Sequence, residues 1–133
     1  MKKKTVLIVD DDRELCQEWL EILEAEGYTV ALAYDGVEGM RCVDNGGYDL
    51  VLLDLKMPGM MGHTLLRYIK HERPEQKVVV VTGHPLPDSP DGLDDITPAT
   101  REDQRDALML ADVVMTKPLD VERMLATIEA LVR

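Results

Sequence analysis

The chain has 133 residues, 45% hydrophobic and 31% charged, with a formal net charge of -11. That length and balance predict one folded domain with a sizeable core rather than a disordered tail, and no apolar run approaches the roughly 18 residues of a membrane span. The negative charge argues against nucleic-acid backbone binding by this domain and leaves open an acidic site for a cation.

"MKKK" leads into a short strand-like run without a small-residue cleavage site, so a cytoplasmic address is the default. The first strand is "TVLIV" (5 to 9), followed at once by Asp10, Asp11 and Asp12. Asp12 stands just before "RELCQEWL", where a carboxylate caps a helix. Leu15, Trp19, Ile22 and Leu23 then recur on one helical face, with Gly27 as the stop. "YTVALA" (28 to 33) predicts the second strand and 35 to 45 a helix carrying Val37, Met40 and Val43. "DLVLL" (49 to 53) runs into Asp54, and 62 to 72 reads as a helix with Leu65, Leu66 and Ile69, closed by Pro74. "KVVVVT" (77 to 82) ends on Thr82, and "DVVMT" (112 to 116) is followed by Lys117. The last helix shows Val121, Met124, Leu125, Ile128, Leu131 and Val132.

Alternation of β and α predicts a doubly wound parallel sheet of five strands with helices on both faces, because continuously apolar strands are covered on both sides. Residues 1 to 133 are expected to form one domain, with no internal repeat and no linker to a second. Cys16 and Cys42 are far apart on helix-like segments and read as reduced packing residues. His63, His71 and His84 lack metal-ligand spacing with cysteine and read as surface or loop residues, His84 lying two after Thr82.

In an open parallel sheet, ligands sit beyond the carboxyl ends of the strands, where the strand order reverses. Asp10 and Asp11, Asp54, Thr82 and Lys117 occupy four such ends. Each alone has a plain explanation: a cap, a loop carboxylate, a good strand former, a solvated charge. Their convergence favours a site. Clustered carboxylates need a shared proton or a metal, and hard oxygen ligands suit Mg²⁺. Beside that cation Asp54 could act as a nucleophile toward a phosphoryl group. The Thr82 hydroxyl and the Lys117 ammonium would then receive its oxygens.

"VLIVDDD", "LLDLKMPGMMG", "VVVVTG" and "MTKPL", in this order, resemble the receiver domain of bacterial two-component response regulators. The resemblance implies a flavodoxin-like fold with strand order 2-1-3-4-5. It makes Asp54 the phosphoacceptor, Asp10 and Asp11 the acidic pair for Mg²⁺ with Asp11 the more direct ligand, and the Lys56 backbone carbonyl a further ligand. Thr82 becomes the switch hydroxyl, Lys117 the phosphate-binding lysine, and the Lys117-Pro118 bond cis. The implied partners are a sensor histidine kinase or phosphotransfer protein and a downstream protein or effector domain, with no membrane contact. Catalysis would be limited to the domain's own phosphorylation and slow dephosphorylation.

Four features depart from that pattern. Met61 replaces a common Asp, Val114 replaces an aromatic residue three before the lysine, and Leu110 replaces the glycine that usually ends the fourth helix. The stretch between Thr82 and Lys117 is longer than in similar domains by roughly a dozen residues, placed in an extended loop at about 83 to 99. A phosphorylation-independent scaffold is the alternative, which Val114 and the long loop favour and the complete Asp/Asp/Asp/Thr/Lys set opposes. A flavin carrier would want a Ser/Thr-rich phosphate loop where "DDDREL" stands. A dehalogenase-type phosphatase would want Asp at position 56, where Lys56 stands.

Overall fold

The computed structural model describes residues 3–55, 62–83 and 106–133. Lys56, Met61, His84 and, apart from Gly83, the extended segment expected at 83 to 99 lie outside the described residues. β1 (Thr5–Val9), β2 (Thr29–Ala33), β3 (Leu50–Asp54), β4 (Val78–Thr82) and β5 (Val113–Thr116) form one parallel sheet in the order β2-β1-β3-β4-β5. The helices α1 (Arg13–Ala25), α2 (Gly36–Asn45), α3 (Gly62–Glu72) and the C-terminal helix Val121–Val132 cover it. Each strand lies within a residue or so of its expected position, because the apolar runs that define the strands are also what the sheet buries.

The two faces follow from the two-residue period of a strand. Val6 and Ile8 of β1, Leu50 and Leu52 of β3, and Val79 and Val81 of β4 point to the side packed by Cys16, Trp19 and Leu23 of α1 and by Met124 and Ile128 of the C-terminal helix. Leu7 and Val9, Val51 and Leu53, and Val78 and Val80 point to the opposite side, against Val43 of α2 and Leu65, Leu66 and Ile69 of α3. All five residues of β3 and of β4 are buried. That burial explains why those strands read as unbroken apolar runs rather than as an alternation.

Local chemistry sets the helix ends. The Asp12 side chain accepts from the Leu15 N–H and starts α1, as expected from its place before the helical run. Asp35 caps α2 by accepting from the Glu38 N–H at 2.8 Å, and the Glu38 carboxylate accepts from the Tyr34 N–H at 2.7 Å. The two bonds resemble a capping box, with the second donor taken from Tyr34, one residue before the cap, instead of from Asp35 itself. Gly27 follows α1 with φ 98, a left-handed conformation that glycine takes without a Cβ penalty. Leu110 does without such a cap. Its N–H reaches Ala107 O and the Ala111 N–H reaches Leu108 O, so tight turns close the helical stretch, and no described non-glycine residue has a positive φ.

Candidate phosphoacceptor and metal site

Strand order reverses between β1 and β3, since β1 is followed by β2 on one side and by β3 on the other. Asp10 directly follows β1 and Asp54 ends β3, so the two carboxylates flank the crevice that this reversal opens. Both are buried, whereas Asp11 is exposed. A ligand oxygen from each of Asp10, Asp11 and Asp54 lies within 4.8 Å of the others. Three carboxylates at that spacing repel unless a cation or proton lies among them, and the oxygen-only donor set with one face open to water fits Mg²⁺.

Asp10 is held from several sides. Its N–H donates to Ala33 O at 3.0 Å, which anchors the end of β1 to β2. Its Oδ1 accepts from the Asp12 N–H at 3.0 Å, and its Oδ2 lies 3.5 Å from Lys117 Nζ. The Cys16 Sγ donates to its carbonyl oxygen at 3.3 Å in a buried position. Burial, with Asp10, Asp12 and Asp11 close by, pushes the Cys16 thiol up to about 12. The folded state therefore favours the protonated thiol.

Thr82 ends β4, buried and in register with Thr116 of β5. Its carbonyl accepts from the Lys117 N–H at 2.9 Å, which ties the start of the lysine loop to the strand that carries the hydroxyl. The Lys117-Pro118 peptide is cis, as expected. Lys117 is partly exposed, so its ammonium reaches the site from the solvent side. The structure thus brings Asp10, Asp11, Asp54, Thr82 and Lys117 to one edge of the sheet. Lys56, the remaining expected ligand, lies outside the described residues.

Sequence reasoning passed over two contributors. Gly62 opens α3, and its N–H donates to Leu55 O at 3.0 Å. A Cβ there would fall 2.4 Å from Leu55 Cα and 2.5 Å from Asp54 O, so only glycine lets α3 approach the end of β3. Its position eight residues after Asp54 was the available signal. Cys16 is the second; four residues after a capping Asp12, its side chain leans back toward the turn that Asp10 begins. A small, mostly apolar cleft is lined by Leu15, Trp19 and Leu119 together with Asp10 and Asp54. Val114 is half-buried against the α2 and α3 side of the core and contributes packing where similar domains carry a ring.

Comparison with known proteins agrees with this geometry. The response regulator receiver domain family matches residues 6–93. An uncharacterised transcriptional regulatory protein of Bacillus subtilis, YkoG, is 34% identical over 100% of this chain and 53% of its own length. Response regulator ArlR of Staphylococcus saprophyticus is 32% identical over 96% of this chain and 52% of its own. The chain thus spans about half the length of these relatives. Among solved structures, a CheY-like receiver domain protein from Methanospirillum hungatei has a TM-score of 0.80 at 32% identity, covering 98% of this chain and 94% of that one. Response regulator TrrA of Thermotoga maritima, solved in complex with Mg(2+)-BeF, has a TM-score of 0.78 at 25% identity, covering 96% and 98%.

Proposed function

Because this chain belongs to the response regulator receiver domain family, we propose that it is a phosphorylation-controlled switch that accepts a phosphoryl group on Asp54 from a histidine kinase or phosphotransfer protein. The observation that carries this reading is the meeting of Asp10, Asp11 and Asp54 oxygens within 4.8 Å at the sheet's reversal point. A Mg²⁺ ion among them would supply charge neutralisation for the approach of an anionic donor.

An Asp54 carboxylate oxygen attacks the phosphorus. The new O–P bond forms as the P–N bond of the donor phosphohistidine breaks, and the electron pair leaves with the imidazole nitrogen. The Thr82 hydroxyl donates to one phosphoryl oxygen and the Lys117 ammonium pairs with another, after turning from Asp10. Attack of water on the phosphorus later forms a new O–P bond as the Asp54 O–P bond breaks, which releases inorganic phosphate and restores the Asp54 carboxylate. Movement of Thr82 and Lys117 toward the phosphoryl group is the event a downstream protein or effector domain reads, in a cytoplasmic setting. The roles of Asp10 and Asp11 as metal carboxylates, and of the Lys56 carbonyl as a further ligand, belong to the same reading.

Val114 favours a second reading, a scaffold that works without phosphorylation, since a packed valine offers no ring to rotate inward. Intact-mass spectrometry after treatment with a small phosphodonor and Mg²⁺ separates the two. The switch gains one phosphoryl group and Asp54→Asn gains none. A folded wild-type protein that stays unlabelled is the scaffold, and full labelling of Asp54→Asn removes Asp54 as the acceptor.

A further inference from the structure

We infer that Cys16 is a positioning residue for the acidic pair, its thiol holding the Asp10–Asp11 peptide in the orientation from which Asp11 meets a cation. The inference rests on reading Asp10 and Asp11 as the cation's carboxylates. Cys16 is fully buried, and its Sγ donates to Asp10 O at 3.3 Å. That carbonyl and the Asp11 N–H belong to one planar peptide, so whatever fixes the carbonyl also fixes the direction in which Asp11 departs from the sheet.

The rest of the turn is pinned on either side of this peptide. The Asp10 N–H is held by Ala33 O, and the Asp12 N–H by Asp10 Oδ1. The Asp12 carbonyl accepts from the Cys16 N–H at 3.0 Å, so the cysteine grips the turn with its backbone and its thiol together. Asp11 itself is exposed.

A buried cysteine is ordinarily a small apolar filler, and here the location of its partner adds a second role. At full burial no water stands ready to replace the thiol as donor. If the donor is removed, the carbonyl loses a partner in a buried position, and rotation of the 10–11 peptide toward another donor is the available relief. That rotation carries Asp11 away from Asp54. An S–H group is a weak donor, so the effect is modest and lies in preorganisation of the ligands rather than in their identity.

The test separates the donor from the bulk. Mg²⁺ is titrated calorimetrically into wild type, Cys16→Ser, Cys16→Val and Cys16→Ala, with urea unfolding of each. Cys16→Ser keeps a donor and loses bulk, Cys16→Val keeps bulk and loses the donor, and Cys16→Ala loses both. Mg²⁺ affinity is expected to follow the donor: within about twofold of wild type for Ser, and about 3- to 10-fold weaker for Val and Ala. Unfolding midpoints should instead follow bulk, lowest for Ala. Equal Mg²⁺ affinity across the four proteins, or affinity that follows bulk with Val matching wild type, overturns the inference and leaves the metal reading intact. A folded wild type without Mg²⁺ binding overturns both.

Discussion

Lys117 and Asp10 stand at opposite ends of the sequence, and their charged atoms meet at 3.5 Å. The ammonium occupies one carboxylate oxygen of the very group assigned to a cation, so ion and lysine compete for the same charge. On the proposed mechanism the lysine turns to a phosphoryl oxygen once Asp54 is phosphorylated, which would free Asp10 for the cation.

Lys117→Met should therefore bind Mg²⁺ more tightly than wild type, by about 3- to 10-fold, the range set by a partly exposed ion pair of about 1 kcal/mol. The same variant should label more slowly with a small phosphodonor, because the phosphoryl group loses its cationic partner. Calorimetric titration and intact-mass time courses measure the two effects. Weaker Mg²⁺ binding in the variant would show that the lysine does not compete for Asp10.

Two glycines make a contrasting pair. At Gly62 an added Cβ meets backbone, 2.4 Å from Leu55 Cα and 2.5 Å from Asp54 O, and backbone cannot yield without displacing the end of β3. At Gly39 the nearest atoms are side-chain methyls, Leu65 Cδ2 at 2.9 Å and Val9 Cγ1 and Cγ2 at 3.1 and 3.3 Å, which can give by small shifts where backbone cannot. Gly62→Ala should cost about 3 kcal/mol or more in urea unfolding and impair labelling of Asp54, whereas Gly39→Ala should cost about 1 kcal/mol and label normally. A Gly62→Ala protein with wild-type stability and labelling would mean that α3 is free to draw back from the strand.

Asp112 governs an acid-sensitive contact at the amino ends of β4 and β5, whereas Asp10 and Asp54 lie at the carboxyl ends of β1 and β3. Its Oδ2 accepts from the Val78 N–H at 2.8 Å and from Lys70 Nζ at 2.9 Å, joining the starts of β4 and β5 to α3. Burial pushes its carboxyl up, but the Lys70 and Val78 hydrogen bonds and the nearby Lys70 and Lys77 charges outweigh burial and hold it below the ordinary 3.8. The folded state thus favours the ionised form. The resulting stabilisation is present above the unfolded value near 3.8 and is lost as pH falls through the lower folded value. Asp112→Asn should lower stability at pH 7 by about 1 to 3 kcal/mol and flatten the loss of stability between pH 5 and pH 3. Urea unfolding across that range checks it; parallel curves for the two proteins would exclude Asp112 as a source of the acid limb.

The two thiols should differ sharply in reactivity. Cys16 is buried with its thiol raised to about 12, while Cys42 is half-buried on α2. The raised thiol leaves little nucleophilic thiolate at pH 8, and burial restricts access to what there is. One fast-reacting thiol in native protein and two in urea are expected with an aromatic disulfide reagent. Rapid reaction of both under native conditions would place Cys16 at the surface.

Strand positions, helix faces and the Asp12 cap were legible in the residues themselves, because each depends on neighbours within a few positions: an apolar run, a helical period, a carboxylate before a helix. The ordered motifs around Asp10, Asp54, Thr82 and Lys117 further implied the strand order, and β2-β1-β3-β4-β5 is what the sheet adopts. Contacts between distant segments were not legible. Whether Lys117 faces Asp10, whether Cys16 points at a carbonyl or only at the core, and whether Gly62 touches the end of β3 all depend on how α1, α3 and the lysine loop seat against the strand ends. Those seats are set by packing of the two apolar layers, a property of the assembled sheet that no local period encodes. The chain's own residues specified which groups were available at the site, and tertiary packing decided their distances.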